Sequence, residues 1–266
     1  MRALKLDERA VLKLTGNDCK GFLQGLITND IKKLQIGGIL YTALLTPQGK
    51  YLFDFFLYQT ENAFFLDCER TQIPTLLQKL MLYKLRADVA IEDKSDSMTI
   101  YALFDGTADD AIICCTDPRA EGMGHRALFD SNTPPKASAL SRDTYEHTRL
   151  IKGIPDGSRD MEANKTFILE ANLDHFNGIS FTKGCYVGQE MTARMMHRTT
   201  RKKLLLPIKI EGGSPPSGTG IQTSSGKTAG DIRSHFKDIA LAMIRLEYQN
   251  DDLLTDGKKV MLLNQE

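Results

Sequence analysis

The chain has 266 residues, with 34 Lys and Arg against 34 Asp and Glu, and a formal net charge of zero. Its 41% hydrophobic and 26% charged residues are ordinary for a globular protein, and the balanced charge excludes a general attraction to nucleic acid or anionic membrane. No apolar run approaches the ~18 residues of a membrane-crossing helix, and Met1–Arg9 lacks the apolar stretch of a secretory signal, so the cytoplasm is the expected location.

Val11–Leu14 alternates as a strand. Gly16-Asn17-Asp18 then turns into a short helix carrying Phe22, Leu23, Leu26 and Ile27. Three strand-like runs follow, Ile39–Leu45, Tyr51–Tyr58 and Ala63–Cys68, separated by Pro47-Gln48-Gly49 and Thr60-Glu61-Asn62. Leu76, Leu77, Leu80, Met81 and Leu85 predict a helical stripe over Thr71–Arg86, and Val89–Ile91 another strand. A similar order repeats, with strands at Met98–Leu103, Ala111–Cys114 and Arg126–Phe129, a loop over Ser131–Ser138, and a helix at Arg142–Lys152. Two successive sets of strands and helices suggest an α+β body rather than alternating β-α-β units. After Lys203 only short strands follow, at Leu204–Ile210, Thr228–Arg233, Ile239–Leu246 and Val260–Leu263, which suggests a small barrel or sandwich. The boundary falls near Lys202.

The chemistry concentrates in Lys183-Gly184-Cys185-Tyr186-Val187-Gly188-Gln189-Glu190. The two glycines suggest a tight backbone path, and a helix can start at Gln189. A cysteine ahead of a helix N-terminus, with Lys183 and Arg194 nearby, would favour the thiolate, the reactive and metal-binding form. A packed, inert thiol fits the same residues. The other cysteines, Cys19, Cys68, Cys114 and Cys115, show no C-x-x-C spacing, so no zinc site is expected and free thiols in a reducing compartment are. The run Arg194, His197, Arg198, Arg201, Lys202, Lys203 reads either as a solvated helix end or as a patch for an anionic ligand or partner.

The stretch from Phe181 to Glu190, with Ala193-Arg194 after it, resembles the signature of the YgfZ-type folate-binding family, built on the fold of the glycine-cleavage T-protein. Leu169–Leu173, Asn177–Ser180, the opening Gly16-Asn17-Asp18 with Phe22–Leu26 and Thr28-Asn29-Asp30, Pro47-Gln48-Gly49, Leu85-Arg86 and Gly230–Ser234 are similar to other parts of it. Arg149–Met161 looks closer to the mitochondrial iron–sulfur assembly branch than to the enterobacterial one. The resemblance implies an α+β body at 1–202, made of two ferredoxin-like parts (about 1–95 and 96–202) around a central folate pocket, and a small C-terminal β-barrel at 203–266. It implies a tetrahydrofolate-binding accessory protein for iron–sulfur cluster assembly or repair, supporting [4Fe–4S] enzymes including tRNA-modifying ones. The expected partners are iron–sulfur carrier or client proteins, such as A-type carriers and radical-SAM enzymes. A bacterial member would be cytoplasmic, and a processed eukaryotic homologue would lie in the mitochondrial matrix. Whether any reaction is catalysed stays open. The alternatives are a tetrahydrofolate-dependent aminomethyl or one-carbon transferase, and a ligand-free scaffold for a carrier.

The resemblance makes Cys185 and Lys183 catalytic candidates, with Gly184, Tyr186, Gly188, Gln189, Glu190 and Arg194 as the surrounding motif. The enterobacterial members place two tryptophans around the folate, where this chain, which has no Trp, carries Arg9 and Tyr145. Tyr145 would stack on the ligand, Arg9 would pair with a folate carboxylate, and Arg149 completes the cofactor-binding set. The T-protein grips its pterin with a glutamate two residues before a glycine; here that position is Ile151, before Gly153, and isoleucine accepts no hydrogen bond. The T-protein's acidic pair becomes Phe53-Asp54, leaving Asp54 as the candidate acid near the pocket, or as an ordinary strand carboxylate.

Overall fold

The computed structural model describes residues 1–198 and 201–263, Arg198 by its backbone alone, so the basic reading of Arg198 and the last three residues of the barrel range lie outside it. Strands β1 (Arg2–Lys5) and β2 (Arg9–Thr15) lead into helix α1 (Cys19–Leu26). Then come β3 (Ile39–Leu45), β4 (Tyr51–Gln59), β5 (Phe64–Glu69), helix α2 (Ile73–Lys84) and β6 (Ala90–Asp93). The second run is β7 (Met98–Phe104), β8 (Ile113–Thr116), β9 (His125–Asp130), the two-residue β10 (Ser138–Ala139), helix α3 (Arg142–Ile151) and the single turn α4 (Gly157–Asp160). Helix α5 (Gln189–Arg198) precedes β11 (Lys203–Ile210), β12 (Gly220–Thr223), β13 (Thr228–Phe236), β14 (Ile239–Arg245), β15 (Leu253–Thr255) and β16 (Lys258–Leu262).

These strands make three sheets: β3-β4-β5-β2-β6, β10-β1-β7-β9-β8, and a closed barrel β11-β14-β13-β12-β15-β16. The mixed α+β architecture with a terminal barrel is the one expected. The two parts of the body are interleaved rather than sequential, because β1 crosses over to pair with β7, Ala3 opposite Leu103. β4 reads as a nearly unbroken apolar run because it has a core on each side. Phe53, Phe55 and Leu57 enter one cluster and Phe56 and Tyr58 the other, following the two-residue period of a strand. The second cluster fills the space between the two open sheets.

The predicted stripe on α2 is corrected. Its inward face is Ile73, Leu76 and Leu80, while Met81 is 51% exposed and Leu85, just past the helix, 85% exposed. Each lies off the 73–76–80 line, so one helix cannot bury both sets. β1, β12 and β15 are too short to register as strands; β1 finds its partner β7 far along the chain, and β12 and β15 pair with each other besides their local hairpins to β13 and β16. Residues 162–188 form neither helix nor strand, yet Leu169, Ala171, Leu173 and Phe176 are fully buried there. Their turns use Asn172 and Asn177 at φ 57° and 56°, a region asparagine tolerates.

Candidate functional site

The Cys185 segment is fastened at both ends. Lys183 is buried, and its Nζ donates to three backbone carbonyls, those of Gln24 (2.8 Å), Ile27 (2.6 Å) and Asn29 (2.9 Å). These are carbonyls at and beyond the C-terminal end of α1, where a cation is favoured. Burial draws the Lys183 pKa down to about 8, with Asp30 opposing. Val187 N–H adds a bond to Gly25 O at 3.2 Å. At the other end Gly188 has φ 84°, and a Cβ there would stand 2.6 Å from Thr46 O. Tyr186 packs inward between these anchors.

Cys185 itself is exposed, whereas Cys19 and Cys68 are buried and Cys114 and Cys115 half-buried. Burial pushes the Cys68 thiol up to about 12 and the Cys115 thiol up to about 11. Lys183 is committed to α1 carbonyls rather than left as a free cation, and α5 begins at Gln189, four residues after Cys185. Gly184 has no atom within 4 Å of a Cβ position and no left-handed φ, so only Gly188 of the two glycines answers a steric demand. Gln189 reaches back to Gly184 O at 3.5 Å, while Glu190 and Arg194 lie exposed on α5.

Arg9, Asp54, Tyr145 and Arg149 lie elsewhere, in the interior. Period-two alternation places Arg9 on β2 and Asp54 and Phe56 on β4 on the sheet face turned toward the second sheet. Arg9 Nε donates to Asp67 at 2.6 Å and its Nη2 to Asp67 O at 2.7 Å, so its carboxylate partner is a residue of β5. Arg126 Nη2 from β9 donates to the other Asp67 oxygen at 2.5 Å, and Tyr58 also donates to Asp67. Arg119 grips Asp117 through Nε (3.0 Å) and Nη2 (2.7 Å), and the same Nη2 donates to Tyr145 Oη at 3.2 Å. Arg126 also lies 4.0 Å from Asp117 and stacks 3.9 Å above the Phe56 ring, a cation–π contact at the centre of the cluster. Such charges survive burial because each is paired and hydrogen-bonded.

Asp54 accepts from Tyr41 Oη (3.0 Å) and Tyr51 Oη (2.9 Å). Burial pushes its pKa up, and Arg9 and the two tyrosine hydroxyls oppose that. α4 closes over it: a Cβ on Gly157, at φ 48°, would lie 3.4 Å from Asp54 Oδ1 and 2.9 Å from Glu69 Oε2. Arg149 is fully buried and ties α3 to the barrel, donating to Glu146, Asp160, Ile154 O and Ser234 Oγ. Sequence reasoning missed Asp67, Asp117, Arg119 and Arg126. The available signal was a lone charge inside an otherwise apolar strand, as with Asp67 in Phe64–Glu69.

A cavity of about 870 Å³ opens beside this network, where the second sheet's loop, α3, the 175–176 turn and the barrel meet. Its walls include Arg119, His147, Ile151, Lys152, Phe176 and Lys209. Ile151, 42% exposed, therefore presents its side chain to the cavity. No hydrogen bond or ion pair among the described residues joins Cys185 to the cavity walls or to the buried network.

Residues 7–126 match the GCVT N-terminal domain and residues 201–265 the C-terminal beta-barrel domain of CAF17. The mitochondrial iron–sulfur cluster assembly factor IBA57 of Mus musculus is 32% identical over 280 residues, covering 91% of this chain and 77% of the relative. The chain belongs to the IBA57 family. The human IBA57 is 31% identical over 90% of this chain and 76% of its own length. The IBA57 homologue of Coccidioides immitis is 29% identical over 95% and 73%. IBA57 membership agrees with the assembly-factor branch read from Arg149–Met161. The glycine cleavage system aminomethyltransferase T of Bartonella henselae superposes with a TM-score of 0.80 at 13% identity, covering 98% of this chain and 84% of that one. The likeness establishes a shared T-protein-like fold.

Proposed function

We propose that this protein is a tetrahydrofolate-binding accessory factor for iron–sulfur cluster assembly or repair, which supports [4Fe–4S] enzymes, tRNA-modifying ones included. The observation that carries the reading is the exposed thiol of Cys185 on a loop pinned by Lys183 and Gly188, in a chain of the IBA57 family. A pinned loop holds a thiol where a cluster or a partner's thiolates can meet it, at little ordering cost. The partners in this reading are A-type carriers and radical-SAM clients. The relatives are named as mitochondrial, and the compartment in this reading is the mitochondrial matrix, or the cytoplasm of a bacterial source.

The cavity residues suit a folate. The volume accommodates a drug-sized ligand. Ile151 and Phe176 would border its rings, and Lys152 would face its carboxylates, Lys209 being paired with Asp238 of the same wall at 3.5 Å. When bound, tetrahydrofolate supplies a one-carbon carrier. Arg119, held by Asp117, would orient the ligand's polar edge, and Tyr145 would act through Arg119 rather than by stacking alone. The aminomethyl-transfer alternative lacks the acceptor that a glutamate at position 151 would provide.

The test is complementation. Cells carrying only Cys185→Ser should lose [4Fe–4S] enzyme activity while the variant melts like the unaltered protein. Full complementation with an unchanged melt would sink the thiol role. A tetrahydrofolate titration of the purified protein separates the folate reading from the ligand-free scaffold.

A further inference from the structure

The turn 117–124, between β8 and β9, is held from three sides. Asp117 N–H donates to Gly124 O at 2.9 Å, Asn177 Nδ2 donates to Pro118 O at 2.8 Å, and Met123 is buried in the core between the two open sheets. Gly122 stands in this fixed turn at φ 77°. Lys152, at the C-terminal end of α3, reaches across to it: a Cβ on Gly122 would lie 3.3 Å from both Cε and Nζ of Lys152. The ammonium therefore occupies space that only a glycine leaves open. Lys152 also lines the 870 Å³ cavity, next to Ile151.

This lysine is half-buried, yet its ammonium makes no hydrogen bond or ion pair among the described residues. The anions around it are engaged elsewhere or turned away. Asp117 is clamped by Arg119 at 2.7 Å, and Asp238 pairs with Lys209 at 3.5 Å. Glu121, the neighbour of Gly122, is exposed and makes no ion pair among the described residues. A cation at a helix C-terminus is favoured by the macrodipole, but here the side chain carries its charge off the end of α3 to the turn. Withdrawing an ammonium from water is costly unless an anion meets it, and the chain supplies none. Beside it, Ile151 and Phe176 make the wall apolar. An unpaired cation next to an apolar wall suits a ring-bearing acid.

We propose that Lys152, laid against Gly122, is the specificity determinant of the cavity: a subsite for the glutamyl carboxylates of folate, which makes the chain select a glutamylated pteridine over the same ring system without its glutamate. The proposal rests on the tetrahydrofolate reading of the cavity given above. A charge-assisted bond from a held ammonium discriminates because the ligand that lacks the carboxylate leaves the cation unmatched.

The experiment is calorimetric titration of the full chain with tetrahydrofolate and with tetrahydropteroate, which lacks the glutamate. The unaltered chain should bind tetrahydrofolate at least tenfold more tightly, and added salt should narrow the gap. Lys152→Met keeps most of the stem and should weaken tetrahydrofolate by the same factor, leave tetrahydropteroate unchanged and melt like the unaltered protein, since the ammonium has no internal partner to lose. Gly122→Asp gives a second reading. Aspartate tolerates a left-handed φ and would hand the ammonium an internal carboxylate, so tetrahydrofolate affinity should fall here too while tetrahydropteroate affinity holds. Equal binding of the two ligands by the unaltered chain, or equal losses of both in Lys152→Met, overturns the subsite and leaves the folate reading standing. No binding of tetrahydrofolate by the unaltered chain overturns both.

Discussion

Gly188 and Gly49 meet backbone against backbone: a Cβ on Gly188 would lie 3.1 Å from Gly49 Cα, and a Cβ on Gly49 would lie 3.2 Å from Gly188 O. The Pro47-Gln48-Gly49 turn is thereby a seat for the Cys185 motif, and the two glycines are needed by each other. A methyl at Gly188 would also press on Thr46 O and Leu45 Cβ, and one at Gly49 on Met191 Cβ at 2.7 Å. Both residues hold left-handed φ values, 84° and 75°.

Gly188→Ala is expected to cost about 2 kcal/mol or more, from strain plus backbone overlap. Gly184→Ala should change stability by no more than roughly 0.5 kcal/mol, since it meets no neighbour. Thermal melts of the two variants check the contrast. Equal losses would mean that the loop is held differently.

Lys183→Met should remove the donors to Gln24, Ile27 and Asn29 and leave those carbonyls short of partners, at about 1–3 kcal/mol. Hydrogen exchange should accelerate across residues 183–189 while the barrel stays protected. An unchanged exchange pattern would remove Lys183 as the anchor of the loop.

Cys185 should be the first thiol alkylated by a small reagent at neutral pH. It is exposed, whereas burial raises the thiols of Cys19, Cys68, Cys114 and Cys115 and shields them. Mass mapping after sub-stoichiometric labelling reads the site directly, and preferential labelling of Cys114 would contradict it.

Asp67 and Asp54 should titrate with opposite effects on stability. Burial acts to raise Asp67, but Arg126 and Arg9 outweigh it and hold its pKa below 3.8, so the unfolded chain binds more protons near that pH. Its stabilisation is present above 3.8 and is lost as pH falls through the folded value. Asp54 is raised by burial against the pull of Arg9, so the folded chain holds the proton longer. Its contribution is present below 3.8 and is lost as pH rises through the folded value. Denaturant melts from about pH 3 to 7 should show Asp54→Asn gaining stability relative to the unaltered protein as pH rises. Asp67→Asn should lose about 3–5 kcal/mol at neutral pH, because Arg9 and Arg126 stay buried without their carboxylate.

Ile151→Glu should tighten tetrahydrofolate binding by roughly tenfold if the pterin edge reaches that wall, an acceptor being worth about 1–3 kcal/mol to a buried donor. Titration of the two proteins side by side measures it. Equal affinities would place the ring system elsewhere in the cavity.

The elements with long periodic runs were legible from the residues alone. β3, β4 and α3 lie within a residue or two of the ranges read from alternation and helical spacing, and the turn-rich tail after Lys203 announced the barrel. The family signature around Cys185 was legible too, because a ten-residue motif carries its own specificity. Tertiary structure alone assigned the partners of the charges. Arg9 reads in sequence as a free guanidinium; the pairing of β2 with β5 in one sheet sets Asp67 beside it, and the facing of the second sheet adds Arg126, which shares Asp67 with Arg9. Likewise Lys183 reads as a cation beside a thiol, and its ammonium turns instead to three carbonyls at and just beyond the end of α1, where no further helical turn supplies N–H groups. Helical and strand periods depend on near neighbours in the chain and can be read in order. Hydrogen-bond and ion-pair partners depend on which distant groups folding leaves unsatisfied, and one-dimensional spacing does not carry that.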